Sequence, residues 1–164
     1  MNAESNSGDV TICPLRVGPN RRHLVDQRGW PYLMHGEAAW SLITALTREE
    51  AELYLADRGC KGVNTIIVNL VEHKFNGPAN RYGERPFTSA DDLSSPNEAY
   101  FAHADWVIRK AGEYGIQVLL APIYLGFAGT DEGWINEVLA SRPSGCREWG
   151  RYVGGRYGAF DHII

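Results

Sequence analysis

Cysteine is scarce in this chain of 164 residues: Cys13, Cys60 and Cys146 lie far apart, with no CxxC spacing. That argues against a zinc site or a thioredoxin-like pair, and the odd count completes no disulfide framework. The three read as buried or incidental free thiols. No GxGxxG follows the first candidate strand, where HGEAAW stands, so a dinucleotide-binding fold is disfavoured. Charge of one sign is not concentrated either. Lys and Arg total 16 against 20 Asp and Glu, a net charge of −4, and the basic residues are scattered. Without a basic stripe to neutralise phosphates, no nucleic-acid partner is expected. No apolar run is long enough to span a membrane, so no membrane partner is expected. The opening MNAESNSGDV is polar and lacks an apolar h-region. It is not a signal peptide, and as given the chain reads as cytoplasmic.

Aromatic residues are plentiful, with 5 Trp and 8 Tyr. Most belong in a core, which a chain of this length can build. The same rings are also the usual platforms for sugars. Residues 1–12 read as a disordered leader, and 13–164 as a single partial domain. Gly18-Pro19-Asn20 separates Leu15–Val17 from His23–Val25, and Asp26-Gln27-Arg28-Gly29 separates that strand from Tyr32–Met34. This is a small β-hairpin feeding a further strand.

A repeating unit follows. PYLMHG is a short apolar strand. TREEAELYLADRG is a helix, with Thr47 as N-cap and Glu50 completing a capping box. GVNTIIVNLV is too apolar to have a wet face, as in parallel sheets buried on both sides. SPNEAYFAHADWVIRKAGEYG is the next helix, read with Ser95 as cap, Pro96 at the first helical position and Glu98 closing the box. GIQVLLAPIYLG is a second buried strand. CREWGRYVGGRYG is a third helix, in which Gly150 and Gly154 are expected to permit close packing. FDHII opens a fourth strand. Gly62, Gly115 and Gly158 mark the same helix-to-strand junction three times. Strand–helix–strand alternation of this kind predicts right-handed parallel βαβ units. The strand-to-helix links, residues 71–94 and 126–143, are the long ones, and loops of that length are usually functional. They lie at the C-terminal ends of the strands, the active face of a (β/α)₈ barrel and the ligand edge of a doubly wound sheet alike.

The candidate site residues sit at those strand ends. The first strand offers His35, Glu37 and Trp40, the second Asn69, Glu72, His73 and Lys74, and the third Pro122, Tyr124 and Phe127. By strand period, Asn69 and His73 share a face while Glu72 points the other way. Glu37 reads as a pocket-lining acceptor, as a structural group, or as one member of a glycosidase carboxylate pair. Retaining enzymes hold two carboxyls about 5–5.5 Å apart, and neighbouring strands lie about 4.8 Å apart. Trp40 either stacks on a sugar or plugs the end of the strand layer. His35, Glu37, Glu72 and His73 also raise a metal reading. It is disfavoured because barrel metal sites want HxH on the first strand, where Glu37 stands, and the remaining histidines lie elsewhere. No metal or other cofactor is expected.

The stretch from PLRVGPNRRHLVDQRGWPYLMHGEAAW through TREEAELYLADRGCKGVNTIIVNL, together with RYGERPF and SPNEAYFAHADWVIRKAGEYGIQVLLAP, resembles the apiosidase-like glycoside hydrolases. The similarity runs from about residue 14 to the end. It implies an α/β chain forming the N-terminal half of a (β/α)₈ TIM barrel preceded by a β-hairpin. It also implies hydrolysis of glycosidic bonds in plant polysaccharide or oligosaccharide side chains. Two positions depart from the family pattern: Glu37 stands where an Asp is usual, and Ile123-Tyr124 where a Trp is usual. The substrate-binding residues expected are Glu37, Trp40, Asn69, His73 and Tyr124, with carbohydrate as the partner. In such barrels the catalytic carboxylates come from the fourth strand end and later, so they are expected beyond Ile164. The chain alone is then expected to be inactive and to self-associate through open sheet edges, with export left open for full-length relatives. The alternative is a non-catalytic carbohydrate-binding or dimerising half-barrel.

Overall fold

The computed structural model describes residues 12–73, 75–90, 92–127 and 130–164. The expected leader falls, apart from Ile12, outside the described residues. The chain divides into two compact units, Met1–Leu33 and Met34–Ile164.

The first unit is an antiparallel meander of three two-residue strands, β1 (Arg16–Val17), β2 (Leu24–Val25) and β3 (Pro31–Tyr32), in that order. Asp26 organises its second turn. Its Oδ1 accepts the backbone N–H groups of Arg28 and Trp30, both at 2.9 Å, and Gly29 takes the left-handed conformation at φ 84°. This corrects the reading of PYLM as the first parallel strand. Pro31–Tyr32 pairs back onto β2, and Leu33 is 82% exposed.

The second unit holds the parallel sheet. Its strands are β4 (Gly36–Ala38), β5 (Thr65–Asn69) and β6 (Gln117–Ala121), paired in sequential order. Gly36 opens β4 because nothing larger fits: a Cβ there would lie 2.4 Å from the carbonyl oxygen of Thr65. Between β4 and β5 run α1 (Leu42–Ala45) and α2 (Arg48–Cys60). The expected capping box is present. Thr47 accepts from the N–H of Glu50, and Glu50 from the N–H of Thr47. Between β5 and β6 runs α3 (Glu98–Glu113), which begins later than its sequence suggests. Phe87 bridges Pro96, the N–H of Thr88 donates to the carbonyl of Ser95, and that of Asn97 to Pro86. Residues 95–97 are therefore extended. Asn97, not Ser95, caps the helix by accepting the N–H of Ala99 at 3.1 Å.

After β6 come α4 (Ile135–Ala140), inside what reads as loop, and α5 (Pro143–Tyr157). Pro143 occupies the first helical position of α5, where its missing N–H costs nothing. Gly62 and Gly115 are left-handed at φ 79° and 70°, but Gly158 is right-handed at φ −65°, so the third junction differs from the first two. Gly150 and Gly154 face open space rather than a packing partner. The chain then meets β6 again. Val118 bridges Ile163 in parallel, and the His162 carbonyl accepts the N–H of Val118 at 2.8 Å. The His162 ring fits over Gly112 and its Nε2 bonds the Ile108 carbonyl at 2.8 Å.

The sheet has two unlike faces. Ile66, Val68, Leu70 and Val118 pack with Ala51 and Leu55 of α2, Phe101, Val107 and Ile108 of α3, and Trp149 and Tyr157 of α5 in one core. Arg156 fastens α5 to α3 through Glu98, at 2.6 Å, and Asp105, at 2.8 Å. On the other face the register sets Ala38, Ile67 and Leu119 side by side, all outside that core and partly or fully exposed. No helix among the described residues is long and apolar enough to cross a membrane.

Candidate functional site

The C-terminal ends of β4, β5 and β6 meet at an apolar pocket of about 380 Å³, lined by Trp40, Ser41, Asn69, Phe75 and Tyr124. Its position follows from the sheet. The carbonyl of Trp40 accepts the N–H of Asn69 at 3.0 Å, and that of Ala121 accepts the N–H of Leu70 at 2.9 Å, so the three strand ends stay in step. Three rings frame the opening. Tyr124 lies 6.5 Å from Trp40, tilted by 42°, and 6.0 Å from Phe75, tilted by 30°. Trp40 is 42% and Phe75 61% exposed. Aromatic faces left open beside polar groups can stack on a flat apolar surface while the polar groups fix its orientation.

The polar part rests on a carboxylate that strand parity alone hides. Glu72 is 1% exposed. Its Oε2 accepts the Ser41 hydroxyl at 2.6 Å and its Oε1 the Asn69 amide at 3.3 Å. β5 ends at Asn69, so the alternation that would send Glu72 to the opposite face no longer applies. Asn69 Oδ1 keeps no partner among the described residues. Tyr124 donates its hydroxyl to Glu132 at 2.7 Å, and Glu132 also accepts the N–H of Phe127 at 2.9 Å. That bond, and then desolvation, raises the Tyr124 hydroxyl above its ordinary value and keeps the proton on it. The loop behind is closed by two glycines. Gly126 is left-handed at φ 93°, and a Cβ on Gly133 would lie 2.1 Å from the nitrogen of Gly126.

Of the five residues expected to bind substrate, Trp40, Asn69 and Tyr124 come together here. Glu37 does not join them. It shares a register row with Ile66 and Val118, which face the helices. Its carboxylate accepts the Tyr54 hydroxyl and pairs with Arg58 Nε at 3.3 Å, both partners on α2. Burial, and then the bond to Glu37, pushes the Tyr54 hydroxyl well above its ordinary value. His73 lines a second cavity of about 360 Å³, with Arg85, Phe87, Trp134 and Glu137. Its Nε2 lies 2.8 Å from Glu137 Oε1, and its ring meets Trp134 edge-on at 4.8 Å. The residues of the metal reading are likewise dispersed. His35 bonds the carbonyl of Gly62 at 2.9 Å, Glu37 faces α2, and Glu72 and His73 point to different partners. Sequence reasoning missed Ser41, Phe75, Glu132 and Glu137. It singled out Glu72 as an acidic residue at a strand end but set it on the face opposite Asn69, to which it bonds.

Comparison with known proteins adds the family. A family profile described as "Apiosidase-like, catalytic domain" matches residues 18–164. A solved structure described as "Glycoside hydrolase" is similar at 26% identity and a TM-score of 0.75, over 93% of this chain and 33% of its own. A glycoside hydrolase family 5 protein from Bacteroides vulgatus ATCC 8482 is similar at 23% identity and a TM-score of 0.74, covering 92% of this chain and 31% of its own. An endo-1,4-beta-mannanase from Rhizomucor miehei is similar at 12% identity and a TM-score of 0.60, covering 86% of this chain and 44% of its own. The last two likenesses are of fold alone. The chain spans between 31% and 44% of the length of these three structures. No curated protein matches it.

Proposed function

Since this chain belongs to the apiosidase-like catalytic-domain family, we propose that it forms the sugar-binding side of a glycoside hydrolase barrel, acting on side-chain linkages of plant polysaccharides. Trp40, Phe75 and Tyr124 stack on the sugar, and Asn69 and Ser41 fix its orientation. The observation that carries this reading is the lining of the strand-end pocket: aromatics and neutral polar groups, with no carboxylate among the described lining residues. Glycoside hydrolysis needs two carboxyl groups flanking the scissile bond, one to protonate the leaving oxygen and one to attack or to activate water. Glu72 and Glu132 are occupied in holding Ser41, Asn69 and Tyr124, so neither is free for that work. On this reading the chain binds a glycan and leaves its bonds intact. The sequential parallel order, with α2, α3 and α5 in one core on one face of the sheet, supports a half-barrel.

The test is to incubate the chain with neutral plant oligosaccharides and aryl glycosides while following tryptophan fluorescence and sugar release. Saturable quenching that is lost in Trp40→Ala, without product, is expected. Turnover by the chain alone, or no binding at all, overturns the reading. The uncovered row Ala38, Ile67 and Leu119 favours a second role, self-association of the half-barrel through that face. Sedimentation over a concentration series tests it, a monomer throughout being the contrary result.

A further inference from the structure

We infer that the strand-end pocket selects its ligand by hydrogen-bond polarity. It takes neutral sugars that present hydroxyl protons, and it turns away sugars that present a carboxylate. The inference rests on the carbohydrate reading above and deepens it. Each polar side chain at the pocket has a proton committed to a carboxylate outside the lining. Ser41 has one hydroxyl proton and donates it to Glu72, so it offers the pocket only lone pairs. Tyr124 donates its one proton to Glu132 and likewise keeps only acceptor capacity. Asn69 gives one amide N–H to Glu72. That bond sets the orientation of the amide and leaves Oδ1, on a side chain 1% exposed, without a partner among the described residues.

The result is a site made mostly of acceptors, set in place from outside. A sugar hydroxyl matches it, because it donates to these acceptors and also accepts from the one N–H that Asn69 retains. A carboxylate has no proton to donate. It would face the lone pairs of Ser41 and Tyr124 and the like charges of Glu72 and Glu132, and no Lys or Arg among the described residues lines the pocket to offset them. Glu72 is then a positioning residue: it acts on the ligand through Ser41 and Asn69, and both polarities depend on its accepting.

The test compares matched sugars that differ only at C6, methyl β-glucoside with methyl β-glucuronide and methyl β-galactoside with methyl β-galacturonide. Binding to the full chain is read by saturation-transfer NMR and by the Trp40 indole shift. The neutral member of at least one pair is expected to bind about tenfold more tightly than its acid or better. The preference should survive high salt, because short hydrogen bonds are not screened as distant charges are. Acids that bind as well as their neutral partners in both pairs overturn the polarity rule and leave the carbohydrate reading standing. Failure of every sugar overturns both. In Glu72→Gln, which keeps the shape, the new amide can donate to Ser41 and release its proton toward the pocket. The neutral-to-acid ratio should fall severalfold in this variant, and an unchanged ratio in a folded protein removes Glu72 from the positioning role. Ser41→Ala supplies a second arm: it should weaken the neutral sugar and leave the acid as it was, and a loss shared equally by both contradicts the rule.

Discussion

Replacing Glu37 by alanine should weaken the fold and leave the pocket's ligand binding intact. The carboxylate lies between β4 and α2, where it accepts the Tyr54 hydroxyl and pairs with Arg58 at 3.3 Å. A hydrogen bond to a charged group contributes about 1.5–3 kcal/mol. The ion pair contributes about 0.2–1 kcal/mol, at the level of an exposed pair, because its partners are 30% and 35% exposed and water screens them. Together they come to about 2–3 kcal/mol once overlap between the two is allowed for. For a domain of this size each kcal/mol moves the melting temperature by about 2–4 °C, so Glu37→Ala should melt about 4–12 °C lower. Circular dichroism measures the melt. A spectrophotometric titration should show Tyr54 ionising at lower pH in the variant, because burial still raises it but the hydrogen bond and the charge of Glu37 have gone. Sugar binding at the Trp40 pocket should keep its affinity. An unchanged melt with lost binding would return Glu37 to the binding surface.

Three further outcomes follow from the packing. His103 is 2% exposed with its ring on Tyr82, and desolvation holds its pKa below the ordinary value, with Arg48 adding to the effect. The unfolded chain therefore takes up the proton first, so stability should be full above about pH 6.5 and decline as the pH falls below it. His103→Gln should flatten that decline in urea melts run across pH, and an unaltered profile contradicts it. Asn97→Ala should cost about 1 kcal/mol of stability through loss of the α3 cap, and Ser95→Ala clearly less. The reverse order, in urea denaturation, would restore the earlier helix start. Gly133→Ala places a Cβ against backbone that has nowhere to go, so the 122–134 loop must open. The Tyr124–Glu132 bond should break and sugar affinity fall, while the global melt changes little. Unchanged affinity contradicts this.

Much of the fold was legible because its signals are local. Thr47 and Glu50 cap α2 as their spacing says, and the apolar runs that contain β5 and β6 announce a parallel sheet. What failed depended on partners far along the chain. PYLM has the composition of a strand, yet only Pro31–Tyr32 pairs, and GEA makes the first parallel strand because Gly36 can approach Thr65 closely. Asn97 displaces Ser95 as cap because Phe87, ten residues earlier, holds Pro96 extended. In the site, Trp40, Asn69 and Tyr124 were readable as strand-end residues. The face of Glu37 was not, since period 2 sorts residues into two sets without saying which set the helices cover. The His73–Glu137 pair joins residues 64 apart, a separation no local pattern spans.

The central claim is that a sugar ring sits among Trp40, Phe75 and Tyr124 and stays whole there. The most direct measurement is a crystal structure of this chain grown with a neutral pectic oligosaccharide. The account predicts intact sugar against those three rings, with a ring hydroxyl donating to Asn69 Oδ1. Sugar bound elsewhere, such as in the cavity beside His73, or cleaved product in the pocket, would contradict it.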